Sequence, residues 1–292
     1  MRLSTAIQLY QKSQHGVLAS RSQQIYRTSL SVLLTHIGNV ELRRISIDDL
    51  RAYRSALLGK HRSMWTVHLH VRICRSFFRW LQAEGKLKNN PATRLELPSL
   101  PDNPPKGISE SDLSKIRDVA RDSESIRDLS IIMFLADTGC RLGGLASLTL
   151  DNLDLRHGTA ILHEKGRRGK RRTRAVFFTQ ETASILRAYL KERGDVKTER
   201  VFVGRKGALQ APSIYRIIKR LGQKAGVKGC FPHAFRHGFA RALLARGLDL
   251  SRVSRLLGYS DVRITAQFYG VFEQNELRQA HRRFTWLKPR KA

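Results

Sequence analysis

The stretch TAILHEKGRRGKRRTRAVFF, residues 159–178, is where the periodicity of this chain changes. On both sides of it apolar residues recur every three or four positions, the spacing of one helical face. Here two short β-prone runs, 159–164 and 173–178, flank a basic turn that carries glycine, the pattern of an antiparallel hairpin. The chain therefore reads as mainly α with one small antiparallel β-sheet.

Immediately upstream, IRDLSIIMFLADTG (126–139) is apolar nearly all round and predicts a buried helix ending at Gly139. Downstream, helical spacing resumes over about 180–192, 212–224, 234–246, 250–257, 261–269 and 274–284. Further back, NNPATRLELPSLPDNPPKGISESDL holds five prolines between Pro91 and Pro105, which argue against regular structure and mark an interdomain linker. Before it, Tyr26, Leu30, Leu33 and Ile37 recur at helical spacing, and Ser46 with Asp49 is a capping-box signature opening another helix through Leu50, Tyr53 and Leu57. In the last long helix of this part, Val67, Val71, Cys74, Phe78 and Leu81 form an apolar stripe. His68, Arg72, Arg75 and Arg79 form a second stripe of one sign, a face suited to phosphates.

Composition narrows the class. The chain has 292 residues, 41% of them hydrophobic, enough for about two domains. It has no apolar run of about 18 residues, and its start, MRLSTAIQLYQKSQHG, lacks the apolar core of a secretory signal, so a cytoplasmic protein that does not enter a membrane is expected. Cys74, Cys140 and Cys230 are far apart and form no C-x-x-C pair, which reads as three reduced, buried thiols rather than disulfides or a metal knuckle. Against 54 Lys+Arg stand 24 Asp+Glu, a formal charge of +30. The pI is about 11.1. A surplus this large, spread along the whole chain, points to a polyanion and favours nucleic acid over a membrane surface.

Cleaving a phosphodiester needs a nucleophile in line, cations around the non-bridging oxygens and an acid for the departing alkoxide. A two-metal site would supply the cations through clustered carboxylates, but the nearest candidates, Asp151 and Asp154 in LDNLDL, read as turn-capping residues. The sequence offers arginines instead. In HAFRHGFA, i, i+3 spacing puts His233 and Arg236 on one helical face, able to donate to one phosphate. His237 follows with a structural hydrogen-bonding role. Arg141, between the buried helix and the glycines of TGCRLGGLASL, either salt-bridges locally or is presented to a ligand. Lys165, Arg167, Arg168, Lys170, Arg171, Arg172 and Arg174 crowd around the hairpin turn, most of them as phosphate-seeking surface charge.

TGCRLGGLASLTLDNLD, EKGRRGKRRTRAV, HAFRHGFA and LLGYSDVRITAQFYG resemble, in order, the motif boxes of the tyrosine recombinase (phage integrase) family. RSFFRWLQAEGKLKNNPA is similar to the end of that family's core-binding domain, so the likeness spans nearly the whole chain. The resemblance implies a helical, DNA-binding core-binding domain over residues 1–97, a linker over 98–106, and a mostly helical catalytic domain over 107–292 with a small antiparallel sheet and a C-terminal exchange helix. It implies Arg141 as the first catalytic arginine, Lys165 as the hairpin lysine, His233 and Arg236 as the H-x-x-R pair, and Tyr269 as nucleophile. The basic residues His68, Arg72, Arg75, Arg79, Arg167, Arg168, Lys170 and Arg171 become DNA contacts.

Two positions depart from the family pattern. Gly144 stands where an acidic residue is usual three positions after the first arginine, so any bracing carboxylate must come from elsewhere. Tyr259 stands where His or Trp is usual after LG, and its phenol can still donate one hydrogen bond to the scissile phosphate.

The activity implied is site-specific DNA recombination through a 3′-phosphotyrosyl intermediate and a Holliday junction, with no metal or other cofactor. Its partners would be double-stranded DNA carrying paired inverted-repeat core sites and three further copies of the chain in a tetramer that exchanges C-terminal helices. Because core-binding helices begin almost at once, a simple two-domain member is expected, Xer-like or transposon-resolvase-like, with no separate arm-site domain. Two rival readings are a type IB topoisomerase-like relaxing enzyme, which would not depend on paired sites, and a non-catalytic DNA-binding regulator on the same fold, which would form no covalent adduct.

Overall fold

The structure, a computed structural model, describes residues 1–59, 63–100, 106–165, 171–259 and 261–269 together with 278, 281 and 282, the side chains of residues 165, 171, 264, 267 and 268 excepted. The chain divides into a first unit over Met1–Asn103 and a second that begins at Pro104.

Among the described residues the first unit holds four α-helices: α1 (Leu3–Ser13), α2 (Ser20–Ile37), α3 (Ile47–Gly59) and α4 (Met64–Ala83). The Ser46–Asp49 box forms as read: the Ser46 amide donates to Oδ2 of Asp49 at 2.8 Å and the Asp49 amide donates to Oγ of Ser46 at 3.2 Å. On α4 the apolar stripe is wider than the spacing alone suggested, since Ile73 and Phe77 are buried with Val67, Val71, Cys74, Phe78 and Leu81. His70 lies in that stripe too, tolerated because Ser29 Oγ and Tyr53 Oη lie 3.0 and 3.1 Å from its Nδ1. The proline segment differs from expectation at its start. Pro91–Arg94 form a 3-10 turn capped by Asn90, and Ala92 and Leu95 are buried with the helices, so this end belongs to the packed unit.

In the second unit, α5 (Glu110–Asp122), capped by Ser109, precedes the apolar α6 (Ile126–Thr138). Gly139 ends α6 with φ 55°, and a Cβ there would lie 2.5 Å from the Phe239 ring, so only glycine can turn the chain here. A short helix, α7 (Leu142–Ser147), follows, then a three-stranded antiparallel sheet in the order β1 (Leu153–Asp154), β2 (Thr159–Lys165), β3 (Arg171–Phe177). Asp154 caps a turn, its Oδ1 accepting from the amides of Arg156 and His157. The register pairs Leu162 with Arg174 and Glu164 with Arg172. Ala160, Leu162 and Glu164 are buried on β2, and Val176 on β3, so one sheet face is inward.

The sheet leads into α8 (Gln180–Arg193), a small hairpin of β4 (Val203–Gly204) and β5 (Gly207–Ala208), and α9 (Ala211–Lys224). The helices α8 and α9 share one apolar core with α5, α6, β2, β3 and the start of α10 (Pro232–Ala245). The far half of α10 packs with α11 (Leu250–Leu257) and α12 (Val262–Tyr269) around Ala240, Val253, Leu257 and Tyr269. Of the sequence-read helix over 274–284, residues 278, 281 and 282 are described and are helical; the rest lies outside the described residues. All three cysteines are free and buried. Among the described residues no helix is long and apolar enough to cross a membrane.

Candidate active site

The sharp turn at Gly139 places Arg141 at the N-cap of α7. Its backbone amide donates to Oε1 of Glu164 at 3.3 Å, and its Nη1 donates to Oε2 of the same carboxylate. Arg174 Nη2 reaches Oε1 at 3.1 Å, so one carboxylate on β2 holds two guanidiniums. Only 4% of the Glu164 side chain is exposed. Burial by itself pushes its pKa up, but Arg174 and Arg141 outweigh burial and hold the carboxyl below the ordinary glutamate value.

Arg236 is the largest fully buried side chain of the molecule's described residues, 1% exposed. A charge at that depth needs acceptors, and it has them: Nη1 donates to the carbonyl of Gly139 at 2.8 Å and Nη2 to the carbonyl of Leu257. Its Nε lies 3.5 Å from the Tyr259 hydroxyl and its guanidinium 4.7 Å from that ring's centroid. The guanidinium of Arg141 lies 5.6 Å from the same ring. Two cations therefore converge on one phenol ring. His233, in the first turn of α10 and one turn before Arg236, keeps part of its ring open to solvent. Burial, then the charges of Arg236 and Arg141, lower its pKa and keep the imidazole neutral near pH 7.

Tyr269 ends α12 and is 3% exposed. Its hydroxyl is hydrogen-bonded to Nδ1 of His237 at 2.5 Å. Burial, then the neighbouring Tyr259, raise the phenol's pKa beyond the ordinary tyrosine value. Burial, then His233, Arg236 and Arg241, bring His237 down to about 4. The contact thus joins a protonated phenol to a neutral imidazole. A hydrogen-bonding role for His237 was legible; that its partner is Tyr269 was not.

Arg141, His233, Arg236, Tyr259 and Tyr269 are brought together. Lys165 ends β2 opposite Arg171, its side chain outside the described part; Arg167, Arg168 and Lys170 also lie outside it, as does the side chain of Arg171. In the first unit, Arg72, Arg75 and Arg79 line a cleft of about 360 Å³ with Tyr26 and Ser76. His68 does not join them; its Nδ1 is 3.1 Å from the Pro98 carbonyl.

Two residues escaped sequence reading. Arg174 is not the surface cation it resembled, since its side chain is 10% exposed, pairs with Glu164 and donates through Nη1 to the carbonyl of Leu256. Glu164 carried a usable signal: it continues the inward series 160, 162, 164, and a charge at an inward strand position demands a buried partner.

The profile of the phage integrase family matches residues 106–275. The tyrosine recombinase XerC of Lactobacillus leichmannii is 30% identical over 242 residues, 80% of each chain. The chain belongs to the phage integrase family. The tyrosine recombinase XerA of Pyrococcus furiosus is also 30% identical, over 82% of this chain and 81% of its own. Among solved structures, the Tn1549 transposon integrase in complex with a circular intermediate DNA superposes with a TM-score of 0.81 at 18% identity, covering 96% of this chain and 99% of that one. The fold is the tyrosine recombinase fold, mostly helical with small antiparallel sheets. With family membership goes the activity of a tyrosine-type site-specific recombinase.

Proposed function

We propose that this integrase-family chain cleaves and rejoins double-stranded DNA at paired inverted-repeat core sites, with Tyr269 as nucleophile. The observation that carries the reading is the convergence of the Arg141 and Arg236 guanidiniums on the Tyr259 ring, in the same cluster that holds Tyr269. In the proposed step the Tyr269 oxygen attacks phosphorus in line with the bond to the 5′ oxygen. The new phosphorus–oxygen bond forms as the old one breaks, leaving a 3′-phosphotyrosine and a free 5′ hydroxyl. Arg141 and Arg236 hold the non-bridging oxygens with planar forks that lysine cannot imitate. Tyr259 donates one further hydrogen bond, neutral His233 takes the phenol proton, and Lys165 protonates the departing 5′ oxygen. Repeating the exchange on two duplexes passes through a Holliday junction. The side chains supply every charge and proton these steps require.

Tyr269 must first leave His237, which supports coupling of cleavage to assembly. We place the proposed assembly as a tetramer in which residues 275–292 dock on a neighbouring copy. Leu277, Ala280 and Phe284 recur at helical spacing in that segment. A cleft of about 210 Å³ lined by Leu113, Ala136, Phe235, Phe239 and Leu243 is a suitable acceptor. The arginines of the α4 cleft, with Arg167, Arg168, Lys170 and Arg171, would hold the DNA backbone, in the cytoplasm.

A core site nicked next to the cleavage point tests this, because the short fragment diffuses away and traps the adduct. The wild type becomes covalently attached, in excess EDTA as well, while Tyr269→Phe binds the site and forms no adduct. An adduct that persists in that variant, or that maps to Tyr259, refutes the assignment. On a substrate with sulfur at the 5′ bridging position, whose leaving group needs no proton, Lys165→Ala regains cleavage and Arg141→Ala does not.

A further inference from the structure

Around the proposed phosphate site lie three guanidiniums, of Arg141, Arg174 and Arg236, and among the described residues one carboxylate, Glu164, is buried with them, from the strand rather than from the helix that Arg141 opens. We propose that Glu164 is a positioning residue for the recombination reaction, holding Arg141 at both its backbone and its side chain, and that Gly144 is glycine because Glu164 occupies the space its side chain would need. This rests on the strand-cleavage reading above.

The geometry has three parts. First, Arg141 is gripped twice by one group: its amide donates to Oε1 at 3.3 Å and its Nη1 to Oε2. A guanidinium bonded only at its tip can swing about its own stem; one whose backbone is fixed by the same carboxylate cannot swing far. Second, the shared oxygen Oε1 also accepts from Arg174, whose other Nη donates to the carbonyl of Leu256, three residues before Tyr259. Gly258 between them has φ 70°, and a Cβ there would sit 2.5 Å from Arg174 Cδ. Glu164 thus links the residue that opens α7 to the segment that presents Tyr259. Third, a Cβ on Gly144 would lie 3.3 Å from Cγ and 3.4 Å from Oε1 of Glu164, and 3.4 Å from Leu162 Cδ1. A side chain at 144 would already press on Glu164 at its first carbon, and this chain places its carboxylate next to Arg141 from β2 instead. That answers where the bracing carboxylate comes from when position 144 has none.

Removing the charge leaves two guanidiniums facing each other without a counter-ion, so Arg141 turns toward solvent. A misplacement of about 1 Å costs roughly 100-fold in rate. The experiment compares wild type, Glu164→Gln and the exchange variant Gly144→Asp with Glu164→Ala, each as the full chain, by rate of covalent trapping on the nicked core site. Each is also assayed on a substrate whose scissile phosphate is a methylphosphonate, which is neutral and makes little demand on Arg141.

Glu164→Gln should trap about 100-fold more slowly on the phosphate, and its deficit should shrink at least tenfold on the methylphosphonate. A merely structural defect would slow both substrates alike, and that result overturns the proposal, as does an unimpaired variant. If Glu164→Gln does not fold, judged by loss of cooperative melting, the exchange variant decides. Return to within about tenfold of wild type supports the proposal; a folded exchange variant with no cleavage, or one that does not fold, refutes it. Failure of the wild type itself to be trapped would count against the cleavage reading, and is distinguishable because it precedes any comparison of variants.

Discussion

On α4, Arg72 and Arg79 are exposed and Arg75 partly so, along one face of a helix whose opposite face carries the core. In the second unit, Arg236 is bonded to two backbone carbonyls and Arg174 to a carboxylate and a carbonyl, both away from water. In the proposed DNA complex the first group acts through charge, which many side chains on a flexible stem can supply. The second acts through position, which each residue obtains from particular acceptors. Losing one cation of the first kind should subtract a little from a sum, whereas losing one of the second should remove an interaction nothing else can replace.

The harshest way to test that contrast is Arg236→Lys. Charge is conserved, but an ammonium cannot satisfy the carbonyls of Gly139 and Leu257 while presenting a fork to phosphate. Adduct formation on the nicked site should fall by about 10³-fold, the scale of removing a preorganised transition-state donor. Site binding by mobility shift should change little. A lysine variant within tenfold of wild type would show that charge alone suffices here too.

Acid should also separate the two regions. Folded His237 stays neutral down to about pH 4, while in the unfolded chain it takes a proton near the ordinary histidine value of about 6.5. The unfolded state therefore binds more protons between those values, and stability present above pH 6.5 is lost as pH falls toward 4. His233, also lowered, adds with the same sign. Glu164, lowered from the glutamate value, acts in the same direction at lower pH, so the window from 6.5 to 5 isolates the histidines. The melting temperature should drop between pH 7.5 and 5, and His237→Asn should flatten that drop. An unchanged slope in the variant would mean that His237 titrates alike in both states.

The same contrast explains what the sequence could and could not disclose. Local signals were legible. The Ser46–Asp49 box formed as read, the hairpin strands fell within two residues of their expected bounds, and the helix at 250–257 matched as Leu250–Leu257. Among the missed elements, α7 spans six residues with two glycines and β4 and β5 two residues each, so their local patterns are weak; α5, with Leu113, Ile116, Val119 and Ala120 at helical spacing behind the Ser109 cap, was readable. For α1 the spacing of Leu3, Ile7 and Tyr10 was readable and went unread. Within the site, residue types and order pointed to Arg141, His233, Arg236, Tyr259 and Tyr269. The web that aims them was not legible, because Glu164 meets Arg141 across 23 positions and His237 meets Tyr269 across 32. Such pairings depend on register and helix docking, which periodicity does not specify.

The smallest effect belongs to the α4 stripe, and it sharpens the comparison most because it has a distinctive form. If Arg75 contributes only charge to a DNA backbone, Arg75→Ala removes about one phosphate contact. The slope of log affinity against log salt should then become shallower by about 0.9, and affinity should fall only a few-fold at moderate salt. Arg72→Ala and Arg79→Ala should behave alike, and the three losses should add, since solvent-facing charges share no acceptor. The loss should be the same on a core site and on unrelated DNA, because phosphate contacts carry no base information. His68, bonded to the carbonyl of Pro98, should affect melting more than the salt slope. Fluorescence anisotropy across a salt series measures all four. A loss confined to the core site would mean that an α4 arginine reads bases, and would make that face as position-dependent as the buried one.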